Sequence, residues 1–357
     1  MMLFEELSSI ADSIGQLLVK DDYPDKIEPI QLKQAVLSYP LRGGKRIRPA
    51  ILMWCCGLLD GDPVHAKYAA AAAEVYHNWT LVHDDIIDED EMRRGKPSTH
   101  IELSKFALDS FKTSKLKSKK FGVDFGILAG DLQHAWAINL LMKSTDIGVP
   151  CEVVNHLCRD LCQTLSRELI SGEALDVEFS YKSIENVKSE EVERMMYLKT
   201  SALLNFCSCS GAKIALKTVD NSDKRIKKLS DFTSAMGIAF QLRDDWLGIF
   251  GNPESFGKPI GSDICSSKPT ILILDTLSRL DEKNKLLLLN YIGADSLTQK
   301  EIDIIRNLIR KSGAEENILN KTDQLKFLAL NSISGFPDNH YKKLLLELND
   351  YLINRDN

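Results

Sequence analysis

Several common features are missing from this 357-residue sequence, and each absence narrows the reading. The eight cysteines (Cys55, Cys56, Cys151, Cys158, Cys162, Cys207, Cys209 and Cys265) form no Cys-x-x-Cys pair, which argues against a zinc ribbon or knuckle. Most of them sit in apolar helical stretches, as expected of buried free thiols in a reducing compartment. No apolar run approaches the roughly 20 residues that a membrane-spanning helix needs. Met1–Glu6 has no basic n-region and no signal-peptide pattern, so a cytoplasmic protein with no membrane span is expected. There is no excess of positive charge; the formal net charge of -6 argues against a general nucleic-acid binder. Strand alternation is scarce, and no linker or low-complexity tract separates independent domains, so residues 1–357 are expected to form one domain. No Ser, Cys or His is arranged as a catalytic triad.

What remains is helical patterning nearly throughout. Hydrophobic residues make up 44% of the chain, enough for a substantial core. Long helices are expected over 125–141, 153–175, 192–216 and 224–250, with shorter ones between Thr270 and Tyr351. The lysine-rich stretch 105–120 reads as a solvated surface loop. The fold class is all-α: long antiparallel helices packed around a central cavity.

Two acidic clusters organise the chain. An alanine-rich helix, expected from about His65 to Asp90, runs into Leu81-Val82-His83-Asp84-Asp85-Ile86-Ile87-Asp88. Asp84 and Asp88 are four residues apart, on one helix face. Like charges at that spacing repel, and near a helix C-terminus they also oppose the macrodipole. A second apolar helix carries Phe240-Gln241-Leu242-Arg243-Asp244-Asp245. Two such helices facing each other would tolerate little except a polyanion bridged by metal ions, and all-oxygen ligands suit magnesium. Cations to accompany that ligand are present. Lys45 and Arg48 flank Gly43-Gly44, whose backbone allows close approach of an anion. Arg93-Arg94-Gly95 follows the first acidic cluster.

With these motifs in order, the chain resembles the trans-type isoprenyl diphosphate synthases of the polyprenyl synthetase family. Gly43-Gly44-Lys45-Arg46-Ile47-Arg48-Pro49, Asp84-Asp85-Ile86-Ile87-Asp88, Arg93-Arg94-Gly95, Leu128-Ala129-Gly130-Asp131, Lys199-Thr200, Phe240-Gln241 with Asp244-Asp245, and Gly257-Lys258-Pro259 with Asp263 and Lys268 carry the resemblance. It implies an all-helical homodimer that condenses isopentenyl diphosphate head to tail with dimethylallyl, geranyl or farnesyl diphosphate. It assigns three magnesium ions to Asp84, Asp88 and Asp244. The metal-free homoallylic diphosphate falls to Gly44, Lys45, Arg48, His77 and Arg94. The allylic diphosphate falls to Arg93, Lys199, Lys258 and Lys268. Thr200 and Gln241 would stabilise the allylic carbocation by their dipoles. Tyr76, Trp79 and Thr80, upstream of Asp84, would set product length. Bulky Trp79 with small Thr80 and Ala73 favours a twenty-carbon geranylgeranyl product, with farnesyl as the alternative.

Three positions depart from the family pattern: Gly248 stands where many members have Asp, Glu173 stands where Gln is usual, and the 105–120 insert is long. Other classes fit the residues less well. A di-iron bundle would need two Glu-x-x-His motifs, and only Glu74-Val75-Tyr76-His77 is found. A terpene cyclase would not need the Lys45, Arg48 and Arg94 set. A catalytically silent partner subunit would be expected to lose the metal ligands or lysines that this chain keeps.

Overall fold

The computed structural model describes residues 2–252 and 260–354, and these are helical apart from turns and one short hairpin. Helices α1 (Met2–Lys20), α2 (Ile30–Leu41), α3 (Ile47–Leu58), α4 (Lys67–Ile87), α5 (Thr99–Phe111), α6 (Lys115–Met142) and α7 (Cys151–Arg159) are followed by α8 (Ser166–Tyr181), α9 (Ser189–Met196), α10 (Ala202–Leu216) and α11 (Lys224–Phe250). After the described chain resumes come α12 (Ser262–Cys265), α13 (Ile271–Arg279), α14 (Glu282–Leu289), α15 (Gln299–Ser312), α16 (Ala314–Ile333) and α17 (His340–Ile353). The fold class is all-α, as the patterning implies. The chain divides into two compact units, residues 1–161 with 207–223, and residues 162–206 with 224–357.

In the first unit, α4 is the central element and packs against α3 and α6. Ala69 to Ala73 are all fully buried. Their small side chains keep helix propensity high and let neighbouring helices approach closely. The helix stops at Ile87: Asp88 is its C-cap, with its N–H on the Asp84 carbonyl at 2.8 Å, and Glu89 has a left-handed φ of 54°. Asp88 therefore leaves the helix end rather than lying within the helix.

The stretch expected as a surface loop is not one. Residues 99–111 and 115–142 are α5 and α6, broken only at 112–114 by Lys112 in the left-handed region and by Ser114, whose hydroxyl caps α6. The buried face of α6 includes Ser118, Gly122, Gly126, Ala129 and Gly130, too small to register as a hydrophobic stripe. The hairpin is β1 (Met92–Arg93) paired antiparallel with β2 (Lys96–Pro97). Its two turn residues, Arg94 and Gly95, both have positive φ, the requirement of the tightest hairpin turns.

The second unit is built on α11 packed against α16, with α13, α15 and α17 around them. Leu242, Ile249, Ile271, Leu272, Ile273, Ile305, Ile309 and Ile318 form its buried apolar core. Between α9 and α10 the helix widens into a π turn over Tyr197–Ser201. A π turn inserts one residue into the helical ladder and is common at functional sites. No helix among the described residues is long and apolar enough to cross a membrane.

Candidate active site

In the first unit a basic cluster surrounds the start of α3. Arg46 precedes that helix with a left-handed φ of 49°. Its side chain turns inward, donates to the Pro40 carbonyl at 2.5 Å and forms a buried ion pair with Glu74. Asn78 also donates to Glu74, at 3.0 Å to Oε1. Arg46 thus ties the Gly43–Gly44 loop to α4 through Nη1 and to α2 through Nη2. Arg94 closes over that loop, donating to the Gly43 carbonyl at 2.5 Å. A Cβ on Gly44, whose φ is +126°, would lie 3.1 Å from the Arg94 guanidinium. Lys45 is exposed on the same loop. His77 is half-buried on α4, and its pKa lies well below the ordinary value because of burial and the charges of Arg48, Arg94, Arg93 and Arg46. It is a neutral imidazole in a positive field. Arg46 and Arg48 each bury an Nε–H that meets no acceptor. Such a concentration of cations calls for a polyanion, and the planar guanidinium forks suit diphosphate. The charges of Arg48, Arg93 and Arg94 all bear on His77, although Arg93 is expected to serve the other diphosphate.

The first acidic cluster is held by Arg93. Its Nε reaches Asp85 Oδ1 at 2.7 Å, and Nη2 bonds the same oxygen. Nη2 also lies 3.2 Å from both Asp84 Oδ2 and Asp90 Oδ2. The other Asp85 oxygen accepts from the Tyr39 hydroxyl. Burial pushes the Asp85 carboxyl up, against the opposing pull of Arg93 and Tyr39. Burial opposes the charge on Arg93, but Asp85, Asp84 and Asp90 outweigh it and raise its pKa. Asp84 is half-buried and Asp88 exposed.

In the second unit the π turn carries Lys199 and Thr200. Gly172 of α8 makes this possible on one side, since a Cβ there would come within 2.5 Å of the Lys199 backbone nitrogen. Gly237 of α11 does so on the other, where a Cβ would come within 2.4 Å of Ser201 Oγ. Seated between these helices, Lys199 Nζ lies 2.6 Å from Asp176 and 2.9 Å from Glu173. Lys268 lies 3.7 Å from the same Asp176. Thr200 Oγ1 is 3.3 Å from Gln241 Oε1, and Gln241 Nε2 is 3.4 Å from Asp245 Oδ1. The amide is thereby oriented with its oxygen toward Thr200. Asp245 is buried. Its carboxyl is pushed far up by desolvation and by neighbouring Asp263 and Asp176, with Gln241 and Lys268 opposing. Asp244 beside it is half-buried. Lys258, with Gly257 and Pro259, lies outside the described residues. At Gly248 the backbone carbonyl accepts from Gly261 N–H at 2.9 Å, tying the end of α11 to the turn before α12.

The residues expected to set product length form an aromatic cluster. Tyr76 is fully buried and Trp79 is 7% exposed. The Trp79 ring meets Tyr76 edge-on at 4.8 Å and His134 of α6 at 4.7 Å. Thr80 is half-buried and donates to the His77 carbonyl at 2.8 Å.

No three Asp, Glu, His or Cys residues form a ready-made metal cage among the described residues. Magnesium does not require one, since it takes one or two carboxylates and completes its shell with phosphate oxygens and water. The donor chemistry fits: the acidic motifs offer carboxylate oxygens, and Asp245 Oδ2 is buried without a hydrogen-bond partner among the described residues. The di-iron alternative loses its carboxylate, because Glu74 is committed to Arg46 and Asn78. Sequence reasoning gave no supporting role to Tyr39, Arg46, Glu74 and Asp176, which act by holding other residues of the site.

Known proteins of one family are similar to this chain. The polyprenyl synthetase family model matches residues 30–309. A geranylgeranyl diphosphate synthase of Sulfolobus acidocaldarius is 32% identical over 349 residues, 97% of this chain and 90% of that protein. The structure of geranylgeranyl pyrophosphate synthetase from Pyrococcus horikoshii is similar with a TM-score of 0.85 and 30% identity, covering 99% of this chain and 98% of that one. A geranylgeranyl pyrophosphate synthase from Corynebacterium glutamicum, solved with isoprenyl diphosphate and magnesium, gives a TM-score of 0.80 at 29% identity, covering 99% of this chain and 98% of that one. The chain belongs to the polyprenyl synthetase family, the trans-type isoprenyl diphosphate synthases.

Proposed function

We propose that this protein is a geranylgeranyl diphosphate synthase, a transferase that extends an allylic diphosphate by isopentenyl diphosphate, acting as a single catalytic domain over 1–357 and as a homodimer. The observation that carries this reading is the separation of two kinds of anion-handling chemistry. One is a basic set, Lys45, Arg48, His77 and Arg94 around Gly44, whose neighbouring carboxylate Glu74 is engaged by Arg46 and Asn78. The other is a pairing of carboxylates with cations that recurs in each unit: Asp84 and Asp85 with Arg93 in the first, and Glu173 and Asp176 with Lys199 and Lys268 in the second. A reaction with one diphosphate that must leave and one that must stay needs that division.

Magnesium ions, three by family resemblance, would be held by Asp84, Asp88 and Asp244 and would supply neutralisation of the leaving diphosphate. The chain's own residues do the rest. Lys199, Lys258, Lys268 and Arg93 donate to that diphosphate as the allylic C–O bond breaks, where charge develops. The resulting allylic cation lies against Thr200 Oγ1 and Gln241 Oε1, dipoles too weakly nucleophilic to trap it. Arg48, Arg94, His77 and Lys45 fix isopentenyl diphosphate so that its double bond attacks the cationic carbon head to tail. A proton is then lost to the departed diphosphate. Exclusion of water keeps the cation from hydrolysis. Product length falls to Tyr76, Trp79 and Thr80.

The test is product analysis with isopentenyl diphosphate, magnesium and each of the dimethylallyl, geranyl and farnesyl starters. A twenty-carbon prenyl diphosphate from all three is expected. A fifteen-carbon end product would reassign the enzyme as a farnesyl diphosphate synthase. Cyclic hydrocarbon, or no elongation, would replace the reading with a terpene cyclase or a silent partner subunit.

A further inference from the structure

Arg93 is anchored unequally. Two of its donors, Nε and Nη2, go to one oxygen of Asp85, whereas its approaches to Asp84 and Asp90 are both 3.2 Å and engage Nη2 alone. The Asp85 side chain is 1% exposed, against 18% for Asp84 and 32% for Asp90. Asp85 is therefore the buried anchor, and the other two are rim contacts. What holds Asp85 is Tyr39, on α2, 46 residues away. The Tyr39 hydroxyl accepts from the Thr99 backbone N–H at the start of α5, at 3.1 Å. A hydroxyl has a single proton, so one that accepts from a backbone donor on one side directs that proton to the other, onto Asp85 Oδ2. The Tyr39 ring is itself fixed: it is 1% exposed, and the Arg42 guanidinium lies over it at 4.8 Å, held in turn by Glu102 at 2.6 Å and the Pro97 carbonyl at 2.7 Å. Pro97 belongs to the hairpin strand that pairs with the strand carrying Arg93. One tyrosine thus joins α2, the start of α5 and the acidic end of α4.

We infer that Tyr39 is a positioning residue for the allylic half-site: it fixes Asp85, Asp85 fixes the Nε–Nη2 edge of Arg93, and the remaining Nη1 corner is thereby aimed for a magnesium-bound diphosphate. The guanidinium fork is useful only when its orientation is set, because a phosphate is recognised by direction as well as by charge. Tyr39 touches no substrate; it acts through Arg93. The inference rests on the functional reading above, and it separates Tyr39 from the Arg48, His77 and Arg94 set that serves the other diphosphate.

The test uses the full-length protein and calorimetric titration of inorganic pyrophosphate at saturating magnesium, with the KM for isopentenyl diphosphate measured in parallel. Tyr39→Phe keeps the ring and removes one hydrogen bond to a buried charge. Magnesium-dependent pyrophosphate binding should weaken about tenfold, the order expected for such a bond, while the KM for isopentenyl diphosphate stays within about twofold by the same reasoning. Arg93→Lys keeps the charge but removes the two-donor grip, so adding Tyr39→Phe to it should produce little further loss, because residues acting through one contact are not additive. The inference is overturned by unchanged pyrophosphate binding in Tyr39→Phe, by a parallel rise in the isopentenyl diphosphate KM, or by full additivity with Arg93→Lys. If the unmodified protein shows no magnesium-dependent pyrophosphate uptake, the functional reading itself fails and the inference with it.

Discussion

The Arg46–Glu74 pair gives a quantitative test of how the diphosphate loop is built. Both side chains are only 3% exposed, and Glu74 also accepts from Asn78 at 3.0 Å. Replacing Glu74 by Gln keeps the volume and one acceptor oxygen but leaves the Arg46 charge buried without a counter-ion. Breaking a buried pair from one side costs about 3–5 kcal/mol. The retained amide oxygen places this substitution near the lower figure, ~3 kcal/mol by the same measure. With an unfolding entropy of about 2.1 cal/mol/K per residue over 357 residues, that is a fall in melting temperature of roughly 4 °C. Replacing both partners, Arg46→Met with Glu74→Leu, removes the uncompensated charge as well as the pair, and apolar replacement of a buried pair is often neutral or better. The double variant should therefore be more stable than Glu74→Gln, short of the bonds from Arg46 to the Pro40 carbonyl and from Asn78 to Glu74, worth about 1 kcal/mol each. Denaturant unfolding monitored by circular dichroism measures all three proteins. Because Arg46 also ties down the Gly43–Gly44 loop, Glu74→Gln should raise the KM for isopentenyl diphosphate more than that for the allylic partner. A stability loss under about 1 kcal/mol, or a double variant worse than the single, would refute this account of the buried pair.

Three further outcomes follow from particular contacts. Trp79→Ala removes the ring wedged against Tyr76 and His134; an apolar cavity of roughly 150 Å³ admits benzene, so room for at least one more five-carbon unit is expected, and chromatography of dephosphorylated products should show prenols longer than twenty carbons. An unchanged distribution would remove Trp79 from the floor of the product channel. Gly44→Ala places a methyl 3.1 Å from the Arg94 guanidinium at a φ of +126°, and steady-state kinetics should show a higher isopentenyl diphosphate KM with the allylic KM little changed. His77 has a folded-state pKa well below its ordinary 6.5, so below pH 6.5 the unfolded chain takes up a proton that the folded one does not. Its contribution to stability is fully present above that pH and declines as the pH falls toward the folded-state value; His77→Asn should lessen the decline, measured as unfolding free energy against pH.

The parts of this site that were legible in the sequence are those in which chemistry dictates residue type. Asp84 and Asp88 stand out because repelling carboxylates at the end of an apolar helix need compensation, and Asp244 because it begins a second Asp pair on an apolar helix. Lys45 and Arg48 stand out because they flank a glycine pair. The residues that escaped notice act through space: Tyr39 reaches Asp85 across 46 positions, Arg46 reaches Glu74 across 28, and Lys199 reaches Asp176 across 23. Glu74 was visible only as half of a metal-binding pattern, and its partner arginine shows why that pattern does not operate. The misreading of 105–120 has a different cause. The buried face of α6 includes glycine, serine and alanine, so its many lysines dominate the composition while the packing surface is nearly silent. The hairpin that presents Arg93 and Arg94 has strands of two residues, too short for any alternation to be seen. The π turn under Lys199 and Thr200 is a product of packing against Gly172 and Gly237, which local propensity does not encode.

The most direct measurement is a crystal structure of the protein grown with manganese in place of magnesium, isopentenyl diphosphate and an unreactive thio-analogue of farnesyl diphosphate, with the metal located by anomalous scattering. The account predicts manganese bound to Asp84, Asp88 and Asp244 and to the analogue's diphosphate, with isopentenyl diphosphate held metal-free by Arg48, His77 and Arg94. Manganese bound elsewhere, or both diphosphates on the same set of side chains, would contradict it.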